Sequence, residues 1–210
     1  MSVRFEGVGH KFTEEAWLFR GLTLQLSPGH VYALTGPSGS GKSTLLNLLS
    51  RWNSPTEGKV VINVPGRTSW VFQNPHGTPR RSALDHLMLP LLAKGEHTKN
   101  ARSRSLELLS RFGLREVALR EFRALSGGEA QRLMLACGIA VSPGLLLVDE
   151  PTAQLDPATA QDVNRAIREL ISPETIVVIA THDHETQVAC TDHIDLRKYQ
   201  PFNVPSFVGS

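Results

Sequence analysis

The stretch TGPSGSGKSTLLNLL, residues 35–49, follows an apolar VYAL (31–34) and gathers small residues around a single lysine. Gly36, Pro37, Ser38, Gly39, Ser40, Gly41, Lys42 and Ser43 fit the pattern G-x-x-x-x-G-K-S/T, with Thr44 behind them. VYAL has strand character, whereas Leu45, Leu46, Leu48 and Leu49 recur on one helical face, so the spacing predicts strand, loop, helix. Glycines let successive amides turn toward one centre, and the helix that follows adds its positive end. Polyphosphate is the guest that suits such a cradle. Lys42 would reach the β and γ phosphates as a mobile point charge, and the Ser43 hydroxyl would hold Mg²⁺. A small-residue loop with a chance lysine is the bland alternative, and the strand-to-helix context argues against it. By itself the loop does not separate kinases, GTPases, helicases and transport ATPases.

On the N-terminal side, Val3, Phe5 and Val8, then Leu22, Leu24 and Leu26, are spaced for half-buried strands, with a turn at SPG (27–29). On the C-terminal side two strands are expected, KVVIN (59–63) and TSWVF (68–72), parted by a Pro65-Gly66 turn. From about Pro75 the period becomes helical: Leu84, Leu87 and Leu91, then Leu106, Leu109 and Phe112, predict an insert that runs to about Leu125. LLLVD (145–149) and TIVVIA (175–180) are continuous apolar runs of the kind found in parallel strands covered on both faces. Between them Asp156-Pro157 reads as an N-cap with proline at the first helical position, and Val163, Ile167 and Leu170 as the buried stripe. There is no internal repeat and no low-complexity tract.

LLLVDE (145–150) ends in two acids, where open α/β sheets place their ligands. Asp149 would serve the metal shell, and Glu150 would polarise an attacking water. Alternation along the strand would aim the two side chains differently. Two solvated carboxylates at a strand end are the plain alternative for a lone pair of this kind. About twenty residues earlier stands LSGGEAQR (125–132). Ser126 and Glu129 form an S-x-x-E capping box, and the glycine pair leaves amides and a helix dipole suited to a phosphate.

That octapeptide resembles the signature of ABC ATPases. The resemblance extends to Gln73 after TSWVF, to Asp156 in PTAQLD (151–156) and to His182 in THD (181–183), and covers about Phe12 to His182. It implies an α/β P-loop NTPase: a RecA-like core with a mostly parallel sheet, an N-terminal antiparallel β subdomain and an inserted α-helical subdomain. A single domain would span 1–210, with the β subdomain and phosphate loop in 1–72, the insert and signature in 75–135, and the rest of the catalytic core in 136–210. It further implies a head-to-tail dimer, homodimeric or alternatively heterodimeric, that sandwiches two ATP molecules with Mg²⁺. Ser126, Gly127 and Gly128 of one subunit would touch the γ-phosphate held by Gly36 to Thr44 of the other. Gln73 would sense metal and water, His182 would contact the γ-phosphate and steady Glu150, and Asp156 would cross the interface. Phe12 is the match for the aromatic that stacks on adenine, with a core phenylalanine as its alternative and Trp17 as a rival.

The resemblance implies the ATP-hydrolysing subunit of a transporter whose integral membrane permease subunits are separate chains, peripheral on the cytoplasmic face. ALDHLMLPLLAKG (83–95), with its LPL, resembles ATPases of lipoprotein-release, macrolide-export and cell-division complexes. Signalling to a wall-remodelling enzyme, or a soluble ATPase on DNA or ribosomes, is the alternative. A P-loop kinase would leave Gln73, His182 and the signature without a task. Some features depart from the family: Cys137 stands where arginine is frequent, the insert is compact, and the chain beyond Ile194 lacks the usual glycine-bearing strand turn.

Composition sets limits on all of this. The chain has 210 residues, 40% hydrophobic and 20% charged, the range of an ordinary soluble domain. A net charge of +2 gives no basis for a nucleic-acid partner. Arg80-Arg81 and RSRS (102–105) are read as solvated helical charge. Cys137 and Cys190, both expected in helical stretches without C-x-x-C spacing, suit a reducing compartment. His182, His184, Cys190 and His193 have poor spacing for structural zinc, so no metal beyond Mg²⁺ is expected. No apolar run approaches about 18 residues, and the N-terminus lacks a signal-peptide core.

Overall fold

The computed structural model describes residues 1–11 and 16–200. Three strands, β1 (Ser2–Lys11), β2 (Trp17–Leu26) and β4 (Glu57–Asn63), form an antiparallel sheet in the order β2-β1-β4. A second sheet is wholly parallel, in the order β5-β6-β7-β3-β8, built from β3 (Val31–Thr35), β5 (Thr68–Val71), β6 (Leu145–Asp149), β7 (Ile176–Ala180) and β8 (Asp192–Asp195). The helices are α1 (Lys42–Leu49), α2 (Ala83–Ala93), α3 (Thr98–Arg111), α4 (Gly127–Ala140), α5 (Pro157–Arg168) and α6 (His184–Ala189), with 3-10 turns at Arg115–Val117, Phe122–Ala124 and Leu196–Tyr199.

The apolar runs of β6 and β7 are continuous because each face of the parallel sheet is covered. Side chains alternate across a strand, so one run feeds two cores. Leu146, Val148, Val177 and Ile179 pack with the α2–α5 side, including Leu84, Leu87, Leu133 and Ile167. Leu145, Leu147, Ile176 and Val178 pack the other way, against Val3, Phe5, Leu22 and the α1 leucines 45, 46, 48 and 49. Each side chain buried in this way contributes roughly 1.5–3 kcal/mol. The antiparallel sheet is thereby fastened over α1, which keeps the phosphate loop between two layers.

Some local expectations differ from what forms. β8 was not foreseen: Tyr32 pairs with Asp192 and Leu34 with Ile194, giving β3 a neighbour on its second edge. Cys190 is not inside a helix but caps the C-terminus of α6. Among the described residues, no helix is long and apolar enough to cross a membrane.

Candidate functional site

The loop between β3 and α1 is built to receive an anion. Gly41 takes the N-cap of α1 at φ 95°, and neither a side-chain cap nor an acid serves that first turn. By contrast α2, α4 and α5 are closed by Ser82, Ser126 and Asp156. The first amides of α1 therefore lack the side-chain acceptor those helices have, and a phosphate oxygen would supply one. Ser40 is buried beneath them, its hydroxyl without a hydrogen-bond partner among the described residues. Lys42 folds back, donating to Gly36 O at 3.1 Å and to Pro37 O at 3.4 Å, with Glu150 Oε1 at 3.7 Å. A cleft of about 280 Å³ opens here, lined by Leu18, residues of the loop and first turn, and Glu150.

The two acids arrive from β6. Ser43 Oγ lies 3.5 Å from Asp149 Oδ1, so one hydroxyl and one carboxylate, oxygen donors that fit Mg²⁺, meet at the cleft. Burial pushes the Asp149 carboxyl above its ordinary value; the Ser43 hydrogen bond opposes that, Glu150 adds to it and Lys42 works against it. A divalent cation would relieve the penalty.

Strand alternation is not what separates the acids. β6 ends at Asp149, and Glu150 turns into the left-handed region at φ 43°, its N–H donating to Ala180 O at 2.9 Å. A non-glycine residue so placed carries about 1–3 kcal/mol of strain. The turn aims the Glu150 carboxylate into the cleft: Oε2 sits 2.8 Å from His182 Nδ1 and accepts the His182 backbone N–H at 3.3 Å. Lys42, Ser43, Asp149, Glu150 and His182, drawn from residues 42 to 182, thus converge on one side of the phosphate loop.

Other expected residues are placed differently. Gln73 is exposed two residues beyond β5; carrying the Val71–Val148 pairing forward sets it level with Glu150. Ser126 Oγ accepts the Glu129 N–H at 3.2 Å, and a Glu129 oxygen accepts the Ser126 N–H at 2.8 Å, the expected capping box. Gly128 is required by packing, since a Cβ there would sit 2.2 Å from Thr159 Cγ2 on α5. None of the residues lining the phosphate cleft comes from 126–128. Asp156 caps α5, accepting from the N–H groups of Ala158 and Thr159 and from the Thr159 hydroxyl, bonds that hold its carboxyl below the usual range. Phe12 lies outside the described residues. Trp17 has the Arg20 guanidinium 4.6 Å from its ring centroid and Lys11 Nζ at 5.5 Å.

One surface feature escaped the sequence. Trp52, Trp70 and Phe72 stack in parallel, with Trp52 to Trp70 at 4.7 Å and Trp70 to Phe72 at 5.3 Å. Trp52 is 64% and Phe72 43% exposed. Trp70 lies in β5 and Phe72 one residue beyond its end, two apart in a run expected to be one strand, but Trp52 joins them only through tertiary packing.

A family model described as "ABC transporter" matches residues 19–153. The lipoprotein-releasing system ATP-binding protein LolD of Maricaulis maris is 39% identical over 184 residues, covering 80% of this chain and 80% of that protein. The macrolide export ATP-binding/permease protein MacB of Syntrophobacter fumaroxidans is also 39% identical over 184 residues, covering 79% of this chain but 26% of that longer protein. Among solved structures, the dimeric cassette MJ0796 bound to ADP and Pi is similar at a TM-score of 0.73 and 30% identity, covering 92% of this chain and 93% of that one.

Proposed function

The chain belongs to the ABC transporter ATP-binding family, and from that membership we propose that it powers a lipoprotein-release type of exporter through ATP sites shared by two copies. As a family ATPase it binds ATP and couples its hydrolysis to transport. The shared site is carried by one observation. Lys42, Ser43 and Glu150 line the phosphate cleft, with Asp149 bonded to Ser43 and His182 to Glu150, while Ser126–Gly128 of the same chain neither line it nor bond to a residue that does. A second copy, arranged head to tail, would bring its α4 N-terminus to the open side. The dimeric cassette MJ0796 supports such a pairing. A homodimer is the simplest case, and a heterodimer with a second ATPase subunit the variant.

In this arrangement the backbone N–H groups of the loop from Gly36 to Thr44, Pro37 excepted, and Lys42 would hold the β and γ phosphates of ATP, and Phe12 would stack on its adenine. Ser43, Asp149 and Gln73 would hold Mg²⁺, which when bound neutralises charge on the transferred phosphoryl group. Glu150 orients the attacking water and draws its proton. His182 keeps one ring nitrogen on Glu150 and presents the other toward the γ-phosphate. Ser126, Gly127 and Gly128 of the partner close the site, with Asp156 at the interface. Binding ATP then draws the copies together, and hydrolysis removes the phosphate that bridges them.

The permease would seat beside Gln73, where the exposed Trp52–Phe72 stack borders the edge strand, with the chain peripheral on the cytoplasmic face of the membrane. The relatives named for lipoprotein release suggest that cargo class. Purification of the chain from its native host in mild detergent tests the proposal. Recovery of integral membrane permeases is expected, and detergent-insensitive association with DNA or ribosomes instead would contradict it.

A further inference from the structure

Behind the Glu150–His182 pair lies a buried polar cluster. α5 turns Val163, Ala166 and Ile167 into the core, and Asn164 goes in with them, 8% exposed. An amide in an apolar stripe must find partners. Thr186 Oγ1 lies 2.8 Å from Asn164 Oδ1 and 2.6 Å from Asp183 Oδ2, which also accepts the Thr186 N–H at 2.9 Å. Thr152 Oγ1 stands 3.1 Å from Thr186 Oγ1 and 3.4 Å from Asp183 Oδ2. Thr152 follows Glu150 by two residues, and Asp183 directly follows His182.

A proton count orders these contacts. The Thr186 hydroxyl has one hydrogen to give. Burial pushes the Asp183 carboxyl up, but the hydrogen bonds from Thr186 and Asn164 outweigh it and hold it below its ordinary value. The carboxylate therefore takes the Thr186 hydrogen, and the Asn164 amide stands against both groups, beside the Thr186 hydroxyl and the Asp183 carboxylate. With the Thr186 hydrogen on the carboxylate, the Thr152 hydroxyl donates into the same cluster, to Thr186 Oγ1 or to Asp183 Oδ2.

We propose that Thr186 is a positioning residue for ATP hydrolysis: with Asn164 and Thr152 it ties the turn that carries Glu150 to the turn that carries His182. The inference rests on the assignment of those two residues to the site. Both turns need such a tie. Glu150 sits in strained left-handed backbone that its surroundings must hold, and the His182 side chain is 66% exposed with Glu150 as its partner. The neighbouring Asp183 caps α6, so its grip on Thr186 sets where the His182 loop leaves β7. A misplacement of about 1 Å is enough to slow an oriented reaction by up to about a hundredfold.

Thr186→Val keeps the volume and removes the donor. In the purified chain kcat should fall about ten- to hundredfold, KM for ATP should stay within about twofold, and Thr186→Ser should restore turnover. Asn164→Leu, a second route into the cluster, should show the same split. Unchanged kcat with a lowered melting temperature would overturn the inference, because the cluster would then serve packing alone. Loss of kcat together with ATP binding would also overturn it. Glu150→Gln run alongside separates the premise: if it turns over like wild type, the Glu150 assignment falls and the inference falls with it.

Discussion

Alanine at Gly41 and alanine at Gly39 should differ, and the structure says by how much. Both glycines have positive φ, 95° and 77°, so a side chain at either meets the left-handed penalty of about 1–2 kcal/mol. Each substitution also reduces the freedom of the unfolded chain, an effect shared by the two and cancelled in their comparison. What remains is space. A Cβ at Gly41 would sit 2.9 Å from two ring atoms of Phe19, whereas a Cβ at Gly39 has nothing within 4 Å among the described residues. Phe19 is fully buried and cannot swing away, so the overlap adds about 1–3 kcal/mol. Gly41→Ala should therefore cost about 2–5 kcal/mol in urea unfolding and Gly39→Ala about 1–2. If the loop yields to relieve the clash, the first amides of α1 turn off their common centre, and Mg-ATP affinity should drop far more in Gly41→Ala. Equal stability of the two variants, to within about 0.5 kcal/mol, would refute the packing of this loop under Phe19.

Glu150→Gln should retain ATP binding and lose hydrolysis by about a hundred- to ten-thousandfold, measured by phosphate release; near-normal turnover would remove Glu150 from the chemistry. For Asp149 the folded carboxyl is shifted upward, so the folded state holds its proton to higher pH than the unfolded chain. Its contribution to stability is therefore present at low pH and declines as pH rises through the window above the ordinary carboxylate value. Asp149→Asn should accordingly melt higher than wild type at pH 7 without nucleotide, while losing the Mg²⁺ dependence of ATP binding; a lower melting temperature would contradict the burial argument. Ser126→Arg should fold, at a loss of about 1 kcal/mol for the missing cap, yet fail to dimerise with ATP in size-exclusion chromatography.

Much of this architecture is local and so was legible in advance. The runs in β6 and β7 announce doubly covered strands because parallel sheets leave no wet face, and Asp156-Pro157 announces α5 because cap and first-turn chemistry are set by adjacent residues. β8 was missed for the converse reason. It is four residues long, DHID, with Ile194 as its single apolar residue, and it forms because β3 offers it an edge. The site divides in the same way. The phosphate loop and the acid pair are contiguous motifs, whereas the left-handed turn at Glu150 depends on the β7 carbonyl that receives its N–H. The Thr152–Asn164–Thr186 cluster spans three elements; Asn164 within the Val163–Ile167 stripe was its one visible trace.

Mixing two disabled chains tests the shared site most directly. Lys42→Ala spoils the phosphate loop and Ser126→Arg spoils the signature, so each alone should be inactive. A mixed pair would join the intact loop of one to the intact signature of the other. ATP hydrolysis that appears on mixing, and that neither chain shows alone, is the predicted result; a mixture as silent as its parts, or full activity in Ser126→Arg by itself, would contradict it.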